Sequence, residues 1–542
     1  MPALTGYNHA AARSGRRGPA SRAWTGRQTG DFMPLCLRIA LSALLMFVMA
    51  GASGYAQRPE PATPVRAHIA ASQGAIVREL VGLLSIPNVA ADRPNIARNV
   101  TALVAMLERR GFATAVLETG GNPLVWGELK TPGATRTLLF YAHYDGQPVD
   151  PKGWKQADPF TPILRNGRLE EGASEVPGLA ALDRFEPGWR VYSRSASDDK
   201  SPIVALMAAL DALRATGTAP TSNIRVVLDG EEEAGSPSMV PAIARYRERL
   251  SADLMLILDG PVHPSERPTL VYGARGIVDV ELTVYGPKFG LHSGHYGNWV
   301  PNPAQRLAGL LATMKDDRGR VLVEGFYDTL EQLTAEEEAM LAAVPDDPAA
   351  LKSMFGIAEE EQPGLTLQQA VQRPSLNVRG LQSAFVGADA RTIIPDHATA
   401  AIDIRLVKET PAARMIELVR RHIEKQGWHV VDRDPDDATR AAHPRIVKMD
   451  AAGGTNAYRT SPVSPMARRL SAAVARMTGR EPVQIRTSGG TVPVAPFIEA
   501  MGFPAISVPI VNYDNNQHGE NENLRLGHFF TGIVTLAAAL TM

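Results

Sequence analysis

Three hydrophobic segments of the chain lead into residues that can bind a metal ion. TLLFYAH ends at His143, IRVVLDG runs into Glu233, and LMLILDG carries Asp259. Each segment has the length and hydrophobicity of a buried strand, and helix-like patterns lie between them. In open α/β sheets the ligand crevice lies at the carboxyl ends of the strands. The sequence therefore predicts an α/β fold with a helix-covered, mostly parallel sheet and a site at its carboxyl edge.

Two further residues that can bind a metal ion are Asp198 in SASDDKS and His518 in DNNQHGENE. Together, two imidazoles and three carboxylates form the mixed nitrogen and oxygen set that suits two zinc ions with one bridging carboxylate; manganese and cobalt accept it too. Two metals about 3.5–4 Å apart activate water against an amide or ester bond. A single histidine, or an acidic run such as Glu231–Glu233, is commonly structural, but recurrence at strand ends favours a hydrolase site.

Composition narrows the class of protein. The 542 residues carry a formal net charge of -1 and 44% hydrophobic side chains. Such a chain can bury at least one large core and has the length of two domains. A balanced charge gives no electrostatic surface for nucleic acid, so none is expected as a partner. The only cysteine, Cys36, lies near the N-terminus, and the rest of the chain has no thiol for catalysis or metal binding.

Residues 1–56 predict an N-terminal extension followed by a signal peptide. Arg38 precedes the apolar stretch Ile39–Ala50, and small residues lead to a cleavage point near Ala56. The apolar stretch is short for a membrane span. We therefore expect a secreted or periplasmic protein without membrane contact beyond this segment, and Met33 is an alternative start. An uncleaved N-terminal anchor is the alternative interpretation.

The hydrophobic pattern changes near Tyr272. Alternating apolar and polar residues predict half-exposed strands at Ile277–Tyr285 and Ala400–Val407, and the acidic stretch Tyr327–Val371 is predicted to be largely helical. Helix and strand patterns then return in the segment that carries His518. The catalytic domain is therefore predicted to be split by an inserted α+β domain, with its two parts at 57–271 and 456–542 and the insertion at 272–455.

Several motifs, in chain order, resemble those of the zinc aminopeptidase/carboxypeptidase family: HYDGQPV, Asp158-Pro159-Phe160, SASDDK, EEEAGS, LHSGHYG, IDIRLV, SGGTVPV and QHGENE. That family includes carnosinase-type dipeptidases, carboxypeptidase G, aminoacylases and succinyl-diaminopimelate desuccinylase. The resemblance runs from about Ala75 to the C-terminus and is closest to the carnosinase-like dipeptidases. It implies a metallopeptidase that hydrolyses dipeptides or short peptides with a free C-terminal carboxylate. An N-acyl amino acid amidohydrolase is the alternative, and a non-catalytic binding relative is a remote one.

The resemblance also implies roles for the residues of the site. It implies two metal sites that share one carboxylate, with the ligands His143, Asp198 and Asp259 in one and Asp198, Glu233 and His518 in the other. Asp145 would orient the imidazole of His143. Glu232 would be the general base, which takes a proton from a metal-bridging water and returns it to the leaving amine.

The inserted domain matches the family's lid and dimerisation domain, so a homodimer is expected. His292 in LHSG matches a histidine that reaches the partner's active site and stabilises the oxyanion. Arg405 in IDIRLV, and Arg486 with Gly489 and Gly490 in RTSGG, match positions that bind the substrate's terminal carboxylate. A surface role for Arg405 and a structural role for His292 remain alternatives.

The chain departs from the family in two regions. Ser193, Ser195 and Ser201 stand around the Asp-Asp-Lys motif where the family has glycine, so the loop is expected to differ slightly. The stretch Glu170–Gly188 is an insertion, which is expected to border the mouth of the site and to alter the preferred substrate size.

Overall fold

The computed structural model describes residues 64–451 and 453–542. The predicted extension and signal peptide, residues 1–56, lie outside the described residues. Within the described part of the chain, no helix is both long enough and apolar enough to cross a membrane.

The chain begins with helices and with the strands of the main sheet. This part contains the helices α1 (Pro64–Ala71), α2 (Gln73–Leu84), α3 (Arg93–Glu108), α4 (Lys200–Ala215) and α5 (Met239–Leu250), and the strands β1 (Ala113–Leu117), β2 (Leu124–Leu129), β3 (Thr137–His143), β4 (Ile163–Arg165), β5 (Arg190–Tyr192), β6 (Asn223–Asp229), β7 (Leu254–Ile257), β8 (Thr269–Val271) and β9 (Gly273–Ala274). The start of α3 shows how the sequence sets a boundary, because Asp92 accepts a hydrogen bond from the backbone N–H of Asn95 and proline follows in the first turn.

The middle of the chain builds a second sheet with its own helices. It contains the strands β10 (Gly276–Tyr285), β11 (Leu291–His292), β12 (Ser375–Gln382), β13 (Ile393–Ile394), β14 (His397–Leu406), β15 (His429–Val431) and β16 (Ile446–Ala451), and the helices α6 (Ser293–Tyr296), α7 (Pro303–Ala312), α8 (Ala335–Ala343), α9 (Pro348–Phe355), α10 (Leu367–Ala370), α11 (Ala412–Lys425) and α12 (Asp437–Ala442). We call this part the inserted domain.

The last part of the chain returns to the main sheet. It contains the strands β17 (Tyr458–Arg459), β18 (Val483–Ile485), β19 (Ala505–Ser507) and β20 (Asn523–Arg525), and the helices α13 (Pro465–Thr478), α14 (Ala495–Met501) and α15 (Leu526–Leu540). The chain enters the second sheet at Gly276 and pairs again with β9 at Tyr458. The described residues form one compact unit, so the boundaries at 57–271, 272–455 and 456–542 stay predictions.

The main sheet has the strand order β1-β2-β6-β3-β7-β19-β8-β18. Strands β6, β3, β7 and β19 run parallel, which confirms the predicted mostly parallel α/β sheet. Alternate residues of β3 pack against helices on opposite faces. Leu138 and Phe140 belong to the core that includes α4 and α15, whereas Leu139 and Tyr141 belong to the core that includes α5 and α14. Burial on both faces explains why β3 is hydrophobic throughout.

The second sheet has the order β12-β14-β10-β16-β15 and is antiparallel except for the β15–β16 pair. Every second residue of β10, from Val278 to Val284, packs into a core with α7 and α11. The alternation along the sequence therefore reflects one covered face, as predicted.

The stretch Tyr327–Val371 is less helical than its composition suggests. It contains α8, α9 and α10, which are separated by loops. Pro345, Pro348 and Pro363 fall between or at the starts of these helices, and proline cannot continue a helix interior because it lacks the N–H donor.

Candidate metal centre

The carboxyl ends of three neighbouring strands meet at one edge of the main sheet. His143 is the last residue of β3, Glu232 follows β6 in a short 3-10 turn, and Asp259 follows β7. Because β6 and β7 both run parallel to β3 and lie on either side of it, their ends lie side by side. The candidate ligands therefore meet at the carboxyl edge of the sheet, where the sequence predicts the site.

Asp198 joins two groups of possible metal ligands. Its Oδ1 lies 2.8 Å from Nε2 of His143, and its Oδ2 lies 3.1 Å from Nε2 of His518. The ring of His518 also lies 3.4 Å from Oε2 of Glu233. Two sets each bring their ligand atoms within 4.8 Å of one another: His143, Asp198 and Asp259, and Asp198, Glu233 and His518. The structure thus brings all five predicted ligands together and gives Asp198 the shared position.

Asp145 connects the histidine to the glutamate turn. Its Oδ1 lies 3.5 Å from Nδ1 of His143. The same carboxylate accepts hydrogen bonds from the backbone N–H groups of Glu232 and Glu233, each at 3.1 Å. The backbone carbonyl of Asp145 lies closer to Nδ1 of His143, at 3.2 Å, so this fully buried residue orients the imidazole while its carboxylate fixes the turn that carries the predicted general base.

The buried carboxylate of Glu522 holds the loop of Asp198 in place. It accepts hydrogen bonds from the backbone N–H groups of Ser195, Ser197 and Asp198 at 2.8–2.9 Å and pairs with Arg194 at 2.8 Å. The sequence reasoning assigned no role to Glu522, although it lies in the segment that carries His518. Its place in the QHGENE motif, four residues after His518, could have indicated a role in the site.

Two glutamines were also missed. Gln147 donates to Glu233 at 2.6 Å, and Gln517 donates to Asp198 at 3.4 Å. Gln147 lies in the HYDGQPV motif and Gln517 directly precedes His518. Each amide contacts the carboxylate oxygen that also faces His518, Oε2 of Glu233 and Oδ2 of Asp198.

The negative charge of the clustered carboxylates is not balanced by positively charged groups within the cluster. Burial raises the pKa of Glu233 to about 7 and that of Asp259 to about 6, and the Asp198 carboxylate adds to both shifts. Burial opposes ionisation of Asp198 as well, but hydrogen bonds with His143 and His518 hold its pKa below the usual range. Converging buried carboxylates with two imidazole nitrogens are the donor set of divalent cations of the zinc type, so the residues fit two such ions.

Glu232 stands beside this cluster without belonging to either ligand group. Burial raises its pKa well above the usual range, and the carboxylates of Asp259 and Asp198 add to the effect. A carboxylate close to the metal ligands but separate from them is the arrangement that proton transfer requires.

His292 is not brought to the cluster within its own chain. It is exposed and caps α6, where its Nδ1 accepts a hydrogen bond from Gly294 N–H at 3.0 Å. Its ring centroid lies 4.5 Å from that of His295. The predicted contact with a partner's active site stays a prediction.

The predicted carboxylate-binding residues differ in their availability. Arg405 donates to Thr491 Oγ1 at 3.0 Å, next to Gly489 and Gly490, and lies 3.7 Å from Asp403. The guanidinium of Arg486 is only 4% exposed and is held by Glu337 and Gln372, at 2.8 and 2.7 Å.

The departures from the family pattern have visible consequences. Ser195 has a φ of 60°, in the left-handed region that favours glycine, and its hydroxyl accepts a hydrogen bond from Asn88 at 2.9 Å. The loop thus keeps a glycine-like conformation although it has lost the glycine. In the insertion, Glu170 contacts Asn516 at 3.4 Å, two residues before His518, whereas Asp183 pairs with Arg78 of α2 at 3.1 Å. The predicted effect on substrate size stays a prediction.

Comparison with known proteins places the chain in a family. The model of peptidase family M20/M25/M40 matches residues 175–542. Cys-Gly metallodipeptidase dug1 of Schizosaccharomyces pombe is 27% identical over 84% of this chain and 93% of its own length. Beta-Ala-His dipeptidase of Homo sapiens is 26% identical over 84% of this chain and 86% of its own length.

A solved structure agrees with this assignment. The M20 family metallo-carboxypeptidase Sso-CP2 from Sulfolobus solfataricus has a TM-score of 0.66 and 29% identity, over 85% of this chain and 97% of that chain. The family match covers more than half of the chain and includes Asp198, Glu233, Asp259 and His518. The chain therefore belongs to peptidase family M20/M25/M40 and is a peptidase hydrolase.

Proposed function

We propose that this chain is a dinuclear metallopeptidase that hydrolyses dipeptides or short peptides with a free C-terminal carboxylate. The observation that carries the proposal is the shared position of Asp198 between two ligand groups, with Glu232 beside them. Relatives named as Cys-Gly and Beta-Ala-His dipeptidases support the substrate class.

The metal ligands would be the five clustered residues. His143 and Asp259 would hold one ion, Glu233 and His518 the other, and Asp198 would bridge both. Zinc suits this set, and manganese or cobalt would also be accepted. When bound, such a pair supplies positive charge that acidifies water and polarises the amide carbonyl.

The chain's own residues would then carry out the proton transfers. Glu232 would accept a proton from the attacking water and deliver it to the nitrogen of the leaving amine. Asp145 fixes the backbone of Glu232 and so keeps its carboxylate in reach. Arg405 would bind the substrate carboxylate, with the backbone at Gly489 and Gly490 beside it. Arg486 is occupied by Glu337, so we assign it a smaller share in substrate binding.

A substrate panel tests the reaction class. Purified protein loaded with zinc, manganese or cobalt should hydrolyse dipeptides faster than N-acetyl or N-succinyl amino acids. Elemental analysis of the protein as isolated identifies the native metal. Faster cleavage of the N-acyl compounds would instead make the chain an N-acyl amino acid amidohydrolase, and absence of all turnover in each metal form would contradict the proposal.

We further propose a homodimer formed through the inserted domain. Strand β12 lies at an edge of the second sheet. Large apolar side chains near this edge and in the His292 loop are exposed, among them Val386 (85%), Trp299 (81%) and Phe289 (67%). An exposed apolar surface beside an open sheet edge is typical of a surface that pairs with another chain. In such a dimer the partner subunit's His292 would reach the active site.

Mixed dimers test the role of His292. The His292→Ala homodimer should be nearly inactive because loss of one oxyanion donor costs about 10²–10³ in rate. The Glu232→Gln homodimer should be nearly inactive because it lacks the general base. Dimers that carry one substitution per chain should regain about a quarter to a half of wild-type turnover, since one of the two sites then has both groups intact. The measurement is dipeptide cleavage after the two purified variants are dissociated and reassociated. Confirmed heterodimers without recovery would show that His292 does not act across the interface.

We also propose that the protein is exported. The apolar stretch Ile39–Ala50, with small residues up to Ala56, supports a cleaved signal peptide. After expression of the full chain, N-terminal sequencing of the periplasmic or secreted protein should begin just after Ala56. Retention of the segment in a membrane fraction would favour the uncleaved anchor instead.

A further inference from the structure

Arg275 lies where the chain crosses from the main sheet to the inserted domain, between β9 and β10. Its backbone N–H donates to the carbonyl of Ser488 at 3.2 Å. Ser488 begins the Ser-Gly-Gly-Thr segment, whose Thr491 accepts the hydrogen bond from Arg405. Arg275 therefore stands at the same segment as the predicted carboxylate-binding residue.

Strand register places the two arginines on one face of the second sheet. Arg275 directly precedes β10, whose Ile277 lies opposite Arg405. Ser375 also lies opposite Arg405, on the other side of β14. The Nη2 atom of Arg275 donates to Ser375 Oγ at 2.9 Å and to the carbonyl of Arg373 at 2.8 Å. The opposite face of the sheet is covered by the core with α7 and α11.

Arg275 is a buried cation on this face. Arg275 is 8% exposed, its Nε has no hydrogen-bond partner, and no carboxylate of residues 64–451 or 453–542 pairs with it. Burial lowers the pKa of Arg275 to about 10, and the nearby Arg405 contributes to the shift. Asp403 is the acid beside Arg405, at 3.7 Å. Asp279, which lies opposite Asp403, pairs with Arg379 at 3.2 Å, so Asp403 is the acid that acts on both Arg275 and Arg405. A buried cation without an ion pair is costly.

From this arrangement we infer that Arg275 is a second binding group for the C-terminal carboxylate of the substrate and determines the preference for a free carboxylate over an amide. The inference deepens the proposed function and rests on it. A substrate carboxylate supplies the missing negative charge, and the two guanidinium groups present hydrogen-bond donors to its two oxygens. Arg486 pairs with Glu337, so Arg275 rather than Arg486 is the second arginine that binds the carboxylate.

The test measures binding without turnover. All variants carry Glu232→Gln, so that bound substrate is not cleaved, and are loaded with zinc. Calorimetry measures the affinity of each for a dipeptide and for the same dipeptide with a C-terminal amide. Arg275→Gln keeps hydrogen-bond donors for Ser375 and Arg373 but removes the charge. It should weaken binding of the acid about 10- to 100-fold, the range for hydrogen bonds to charged groups, and should leave binding of the amide within about twofold. Arg275→Lys keeps the charge, so its affinity for the acid should lie between those of Arg275 and Arg275→Gln.

Arg445→Gln is the matched control, because Arg445 also lies in the inserted domain and bonds a backbone carbonyl, at 3.1 Å, but lies outside this face. Its acid-to-amide ratio should be unchanged. If Arg275→Gln leaves that ratio unchanged while the wild-type enzyme cleaves dipeptides, the inference is wrong and the proposed function stands. If the protein neither binds nor cleaves dipeptides or N-acyl amino acids, both are wrong. Circular dichroism checks that each variant is folded.

Discussion

Glu232→Gln is expected to lower turnover of dipeptides by about 10²–10⁴-fold while the metal content per chain stays unchanged. The amide has the shape of the carboxylate but cannot accept a proton from the attacking water. Glu232 belongs to neither ligand group, and its backbone N–H is held by Asp145, so the substitution removes one chemical function from an otherwise intact site. Initial rates and elemental analysis of the same protein sample measure the two effects.

Glu231→Gln provides the matched control for this experiment. Glu231 is the neighbouring residue, but its Oε1 accepts a hydrogen bond from the backbone N–H of Asn122 at 2.7 Å, and the glutamine oxygen can accept the same bond. We expect near wild-type turnover. Loss of metal together with activity in Glu232→Gln would place Glu232 in the coordination shell and overturn its assignment as the base.

Asp198→Ala should remove more metal than any other single ligand substitution. Asp198 is the member of both ligand groups, so its loss takes one ligand from each ion and also removes the negative charge between two cations. Asp259→Ala is the comparison, because Asp259 belongs to one group and its loss should weaken one ion. Elemental analysis after dialysis measures both variants, and turnover should fall with metal content.

The result for Asp198→Ala also distinguishes it from its neighbour. Asp199 is buried and accepts a hydrogen bond from the backbone N–H of His143 at 3.2 Å, so it supports the strand end in this structure. If Asp198→Ala kept both ions, the bridge would have to be another residue, with Asp199 as the first candidate.

The sequence predicted the site residues that directly follow strands with a clear hydrophobic pattern. His143, Glu233 and Asp259 follow hydrophobic runs that are buried on both faces, so their meeting at one sheet edge follows from the parallel arrangement alone. The positions of Asp198 and His518 depend on long loops, and there the motifs of the family supplied what hydrophobic periodicity does not.

Residues whose role depends on contacts with distant parts of the chain could not be predicted from the sequence pattern. Glu522 matters because three N–H groups of another loop point at it, and no pattern in one strand or helix encodes that contact. Arg275 and Arg486 are both arginines next to glycine-containing segments. Their difference arises from partners distant in sequence, since Glu337 pairs with Arg486 at 2.8 Å whereas no carboxylate of the described residues forms an ion pair with Arg275.

The position of β19 has a consequence for synthesis on the ribosome. This strand lies between β7 and β8, although the whole inserted domain is translated before it. Until Ala505–Ser507 has emerged, a nascent chain must carry β7 and β8 with unpaired edges, and such edges promote aggregation. His518 follows still later, so the second ligand group stays incomplete while the inserted domain can already fold. A protease-sensitive, aggregation-prone intermediate that awaits its last strand is therefore expected on the ribosome, and it would need protection by a chaperone.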